Sequence, residues 1–138
     1  MFDHCLYFNT TALARLVDKE WTRAFKPFGL TPSQGFMLRV VLKQPGTPQH
    51  ELADILTIAR PTTTRLLDGL QTLGLIERRG LASDGRHWAV FPTASAEALG
   101  PALNKASGEV TRRLQQKIGK ENFDETVASV RNVSSALK

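Results

Sequence analysis

Between residues 59 and 92 every basic side chain is an arginine: Arg60, Arg65, Arg78, Arg79 and Arg86. A run of three threonines, Thr62, Thr63 and Thr64, separates the first two. A guanidinium is a planar fork of donors that matches phosphate oxygens and the guanine edge. A threonine hydroxyl donates or accepts, and its methyl can touch thymine. These residue types point to contact with duplex nucleic acid, although at least one of the three threonines is expected to fill a helix–helix corner instead. Arg86 closes the turn Asp84-Gly85-Arg86. An arginine at a projecting tip suits the narrow, electronegative minor groove. Asp84 would repel phosphate and is better suited to hold the Arg86 side chain through a charge-assisted hydrogen bond.

The elements that must position these residues follow one another closely. Gln49 to Leu56 reads as a first helix, with Thr57 to Ala59 as a turn. Arg60-Pro61 opens a second helix with Leu66, Leu67, Leu70 and Leu73 inward, and Gly74 stands at its expected C-terminal position. Leu75 to Arg79 and His87 to Phe91 form two strands around a basic tip, residues 80–86. Helix, turn, helix and hairpin in this order make a winged helix-turn-helix, in which the early residues of the second helix meet base edges.

Helices flank this segment on both sides. Residues 3 to 26 carry one apolar stripe of Leu6, Leu13, Val17, Trp21 and Phe28, and a second of Cys5, Phe8, Ala12 and Leu16. Two stripes bury more surface than one amphipathic face needs, which fits either a wide core face or one stripe packed against a second subunit. Thr31-Pro32 and Thr47-Pro48 both read as a cap followed by proline at the first helical position, with Glu51 placed to complete the second cap. Pro92-Thr93 caps a long helix from about Ala94 to Gly119, with a bend or break expected near Pro101, and a last helix covers about Glu121 to Leu137. The fold class is therefore mainly α with a small β-hairpin.

Bulk properties agree with one small domain over residues 1–138. The chain carries a net charge of +5, which favours polyanionic partners without proving one. Its apolar fraction of 41% excludes a disordered chain. A single cysteine, Cys5, excludes an internal disulfide and fits a reducing compartment. The first residues lack a secretory pattern, and no apolar run approaches the roughly 20 residues that span a bilayer. A cytoplasmic location and no membrane partner are expected.

The sequence resembles the multiple antibiotic resistance regulator (MarR) family of winged-helix transcription factors. The matching pieces are Leu30-Thr31-Pro32-Ser33-Gln34, Glu51-Leu52-Ala53, Thr64 to Leu70, Gly74-Leu75-Ile76-Glu77-Arg78, Asp84-Gly85-Arg86 and Thr93. Phe91-Pro92-Thr93 departs from the family by placing proline where leucine is more common. The resemblance implies a winged helix-turn-helix lobe at 30–93, with dimerisation helices at 1–29 and 94–138. It further implies a homodimer on a pseudo-palindromic operator, acting as a repressor released by a small ligand or by oxidation. A small aromatic or phenolic effector is the expected class, and Phe8, Leu13, Trp21, Phe36 and Val40 are the residues expected to line its pocket.

Other readings stay beside this one. Some members sense peroxide through a cysteine near the start of the first helix, which makes Cys5 a redox candidate; a lone cysteine on an apolar stripe otherwise serves packing. A winged helix can also bind protein and not DNA, a reading the arginine cluster disfavours. His4, His50 and His87 lack metal-ligand spacing, so neither a metal nor a cofactor is expected. No nucleophile–base–acid set is visible, so an enzyme is not expected.

Overall fold

The computed structural model describes the backbone of all residues except 82 and 83, and the side chains of all except 81–86. Helix α1 spans Leu6–Phe25 and continues into a 3-10 turn at Lys26–Phe28, which Gly29 ends in the left-handed region at φ 72°. Helix α2 spans Pro32–Lys43, strand β1 Thr47–Pro48, helix α3 Gln49–Leu56 and helix α4 Arg60–Thr72. Strands β2, Ile76–Leu81, and β3, Asp84–Pro92, precede helices α5, Ala94–Ile118, and α6, Lys120–Leu137.

Thr31 is the cap expected for α2: its hydroxyl accepts from the Gln34 amide while the Gln34 side chain accepts from the Thr31 amide. Thr47-Pro48 is not a second cap, which corrects the sequence expectation. Thr47 donates its hydroxyl to the Gln44 carbonyl at 2.7 Å, and its backbone pairs with Val90. Helix α3 therefore begins without a side-chain cap, and Glu51 completes none. The hairpin becomes a three-stranded antiparallel sheet in the order β1-β3-β2. Pro101 lies within α5, which runs unbroken past it.

The hydrophobic core draws on α1 to α5, β2 and β3. Phe25, Met37, Leu38, Val41, Leu52, Leu67, Leu70, Val90 and Leu103 are fully buried. Thr93 ties the end of the sheet to the end of α4. Its hydroxyl donates to the Gly74 carbonyl at 2.7 Å and accepts from the Ala96 amide, capping α5 in the same stroke. Helix α6 buries no residue. It faces the first half of α1 across an apolar cavity of about 510 Å³ lined by Leu6, Tyr7, Val130, Val133 and Leu137, among others. No described helix is long and apolar enough to cross a membrane.

Candidate nucleic-acid interface

Helix α4 has a buried side and an exposed side. Leu67 and Leu70 point inward, and Thr63, one turn earlier, is 1% exposed with its hydroxyl donated to the Ala59 carbonyl at 3.1 Å. Burial of Thr63 removes it from the candidate contacts: it is the threonine that fills the helix–helix corner. Thr64 and Arg65 are exposed and Thr62 is half-buried. Arg65 donates to the Thr62 hydroxyl at 3.3 Å, which holds the guanidinium along the outer face of the helix. Thr64 donates to the Arg60 carbonyl and accepts from the Gln49 side-chain amide at 2.9 Å, linking α3 to α4. Arg60 is exposed at the first position of α4.

Arg78 and Arg79 have different surroundings. The Arg78 side chain is 16% exposed. It donates to the Asp68 carboxylate at 2.7 Å, to Gln71 at 3.2 Å and to the Thr64 carbonyl at 3.1 Å. Arg78 thus braces α4 against β2 through its terminal nitrogens, while its buried Nε has no hydrogen-bond partner among the described residues. Its place in the fold is a positioning one, holding α4 from β2. Arg79 lies over the Phe91 ring at 4.1 Å and pairs with Glu77 at 3.3 Å while staying exposed, so its outer donors remain available. The side chains of Asp84 and Arg86 lie outside the described residues.

A second set of polar groups meets behind the start of α4. His50 of α3 and His87 of β3 pack edge to face with ring centroids 5.6 Å apart. With Gln49, Arg60, Thr64 and the 42%-exposed Trp88 they line a cavity of about 240 Å³. The sequence reading weighed the histidines only as metal ligands and left Gln49 and Trp88 unassigned. The cue it lacked is non-local: in a winged helix β3 returns beside α3, which brings residues 50 and 87 together.

The five residues expected at an effector pocket divide into two groups. Trp21 and Phe36 are ring neighbours at 6.2 Å, and Val40 packs against the same core. Phe8 sits against Phe2 at 5.4 Å, and Leu13 is 45% exposed on α1. At about 1.5 Å per residue, Phe8 lies near 20 Å along the helix from Trp21. A neighbouring residue the sequence reading missed is Arg39, whose guanidinium is 5.0 Å from the Phe36 ring centre. It donates to Asn104 at 2.8 Å and to Ser107 at 2.9 Å, and Trp21 also donates to Ser107. Burial lowers the Arg39 pKa from its ordinary value. Cys5 is exposed at the start of α1.

A family model described as MarR family matches residues 28–87. An uncharacterized HTH-type transcriptional regulator, YybA, of Bacillus subtilis (strain 168) is 27% identical over 93 residues, which are 67% of this chain and 62% of that protein. The match thus spans less than two thirds of the relative's length. Among solved structures, the transcriptional repressor CouR bound to a 23-mer DNA duplex is 26% identical with a TM-score of 0.83, covering 96% of this chain and 94% of that one. The S. aureus MepR–DNA complex is 22% identical with a TM-score of 0.85, covering 97% and 99%, a likeness of fold.

Proposed function

We propose that this chain, a MarR-family winged helix over residues 28–87, regulates transcription by binding duplex DNA as a homodimer. Helix α4 enters the major groove and the β2–β3 wing lies beside it. Residues 30–93 form the reading lobe, and residues 1–29 and 94–138 supply the dimer helices. The observation that carries this reading is the outer face of α4, where Arg60, Thr62, Thr64 and Arg65 stand together while Arg78 holds the helix from behind. CouR and MepR, in structures with DNA, share the fold and support the same orientation. Arg86 is assigned to the minor groove and Asp84 to holding it, on the sequence alone.

Arginines that touch DNA and arginines that brace it separate in a salt titration. Arg60→Ala and Arg65→Ala should each weaken duplex binding by about 1–3 kcal/mol and lower the salt slope by roughly one counterion per contact. Arg78→Ala should weaken binding and lower the melting temperature while leaving the slope intact, since it removes a brace and not a phosphate contact. Asp84→Ala should also weaken binding, although it removes a negative charge, because Arg86 loses its support. Fluorescence anisotropy on duplex at two salt concentrations, beside thermal melts, reads all four. Unchanged affinity in both α4 variants would sink the interface.

The regulatory part of the proposal is repression relieved by a small aromatic or phenolic ligand. Trp21 and Phe36 offer ring faces, and Arg39, whose described hydrogen bonds go to neutral partners, offers a charge to an aromatic acid. Such a ligand acts only by binding the off-DNA arrangement better than the on-DNA one. Salicylate is the probe: it should release wild type from duplex and fail to release Arg39→Met. Equal release of both proteins would remove Arg39 from the site, and binding without release would remove the effector role.

A further inference from the structure

We infer that Thr64 reads thymine in the major groove through its methyl group, held in place by Gln49; this deepens the DNA-binding reading and rests on it. The three consecutive threonines of α4 are not equivalent. Thr63 is buried in the helix–helix corner. Thr62 is half-buried, and its hydroxyl accepts from Arg65. Thr64 is exposed, yet its hydroxyl is engaged on two sides. It donates its one proton to the Arg60 carbonyl at 3.2 Å and accepts from the Gln49 side-chain amide at 2.9 Å. One lone pair remains, but no proton is left to offer a base. What the exposed side chain still presents is its methyl.

Two anchors on one oxygen turn this into an orientation. A helical threonine otherwise divides between two χ1 rotamers, because its hydroxyl can bond a carbonyl one turn back. Gln49, arriving from α3, selects between them. With the hydroxyl fixed, the methyl has one staggered position on Cβ. The backbone is held as well: Arg78 of β2 donates to the Thr64 carbonyl at 3.1 Å. Three elements thus fix one methyl group near the start of α4. In duplex DNA, thymine is the base that places a methyl group in the major groove. Contact between two methyls removes apolar surface from water and needs no hydrogen bond. A serine here could make the same two hydroxyl bonds, so a link between α3 and α4 does not by itself call for threonine.

The test first enriches a duplex from a random pool with wild type. Thymidine is then replaced by deoxyuridine, which lacks only the methyl, at one symmetry-related pair of positions at a time. At one such pair wild type should lose about fifteenfold in affinity, about fourfold for each methyl removed. There Thr64→Ser, which keeps the hydroxyl, should bind the thymine and uracil duplexes alike. Thr64→Val, which keeps the methyl, should discriminate as wild type does. Gln49→Ala, which frees the rotamer, should discriminate less than wild type. Thr64 is exposed, so its two variants should melt with wild type. Full discrimination by Thr64→Ser would overturn the assignment, as would indifference of wild type to uracil at every position. Loss of discrimination in Thr64→Val would pass the contact to the hydroxyl and overturn it too. An unchanged ratio in Gln49→Ala would remove Gln49 from the proposal. Failure of wild type to enrich any duplex would overturn the DNA-binding reading itself.

Discussion

Val130→Asp is expected to halve the mass in solution, from twice the 15.2 kDa chain to the chain itself, and to cost duplex affinity far more than any single arginine. Val130 is 51% exposed near the middle of α6, a helix with no buried residue. Tyr7 and Leu6 of α1 and Val133 and Leu137 of α6 leave apolar surface beside it, and the cavity between them is walled almost wholly by carbon. Such a continuous apolar face is uncommon on a monomer and normal on a subunit. In a two-fold dimer the substitution acts twice. Each copy forfeits about 1.5–3 kcal/mol of burial and forces a carboxylate to stay hydrated, so the dissociation constant should rise by at least about a hundredfold. The protomer loses no core contact, so its helicity should persist. Light scattering at micromolar protein decides the matter: a variant that still weighs twice the chain mass would remove this face from the dimer.

Much of the helix-turn-helix segment was legible because its signals are local. The bounds of α3 and the start of α4 follow from apolar spacing and from Arg60-Pro61, and Gly74, at φ 73°, ends the segment as its position suggested. Thr63 was legible too and was misjudged. It stands four residues before Leu67 and seven before Leu70, so the 3.6-residue period already placed it on the inner face of α4. The same helical rise separates Phe8 from Trp21, which spacing along α1 alone could have told.

Other features depend on partners distant in the chain. Thr31-Pro32 and Thr47-Pro48 are alike in sequence, yet one caps a helix and the other starts a sheet. The difference is Val90, which offers its backbone to Thr47 and to Gly46 across the molecule. Arg78 belonged by type to a basic cluster; Asp68, ten residues earlier, turns it inward. Helix α6 shows the converse limit. Its stripe of Phe123, Val127 and Val130 announced an apolar face, and the protomer leaves most of that face uncovered. A periodic pattern states that a surface wants burial, not which chain buries it.

The joint between α1 and α2 carries the largest expected change in stability. A Cβ added at Gly35 of α2 would overlap the ring of Phe25, the last residue of α1. Phe25 is fully buried, packed on Phe36 with ring centres 5.8 Å apart, so it has no room to yield. Alanine in a helix interior normally gains up to about 1 kcal/mol over glycine. Here that gain is outweighed, since overpacking costs about 1–3 kcal/mol and the contact falls on a ring with no free side. Gly35→Ala should therefore destabilise, and Gly35→Val, with two further carbons and a branched Cβ, should cost about 3 kcal/mol or more, roughly 10 °C of melting temperature. Shrinking the ring supplies the control. Phe25→Leu alone should destabilise by leaving a cavity, yet in the Gly35→Ala background it should recover part of the loss, a non-additivity expected only of residues that compete for one space. Thermal melts of the two single variants and the double variant measure it. Strict additivity would mean that Gly35 and Phe25 do not meet, and that the close approach of α1 and α2 is not what requires glycine at position 35.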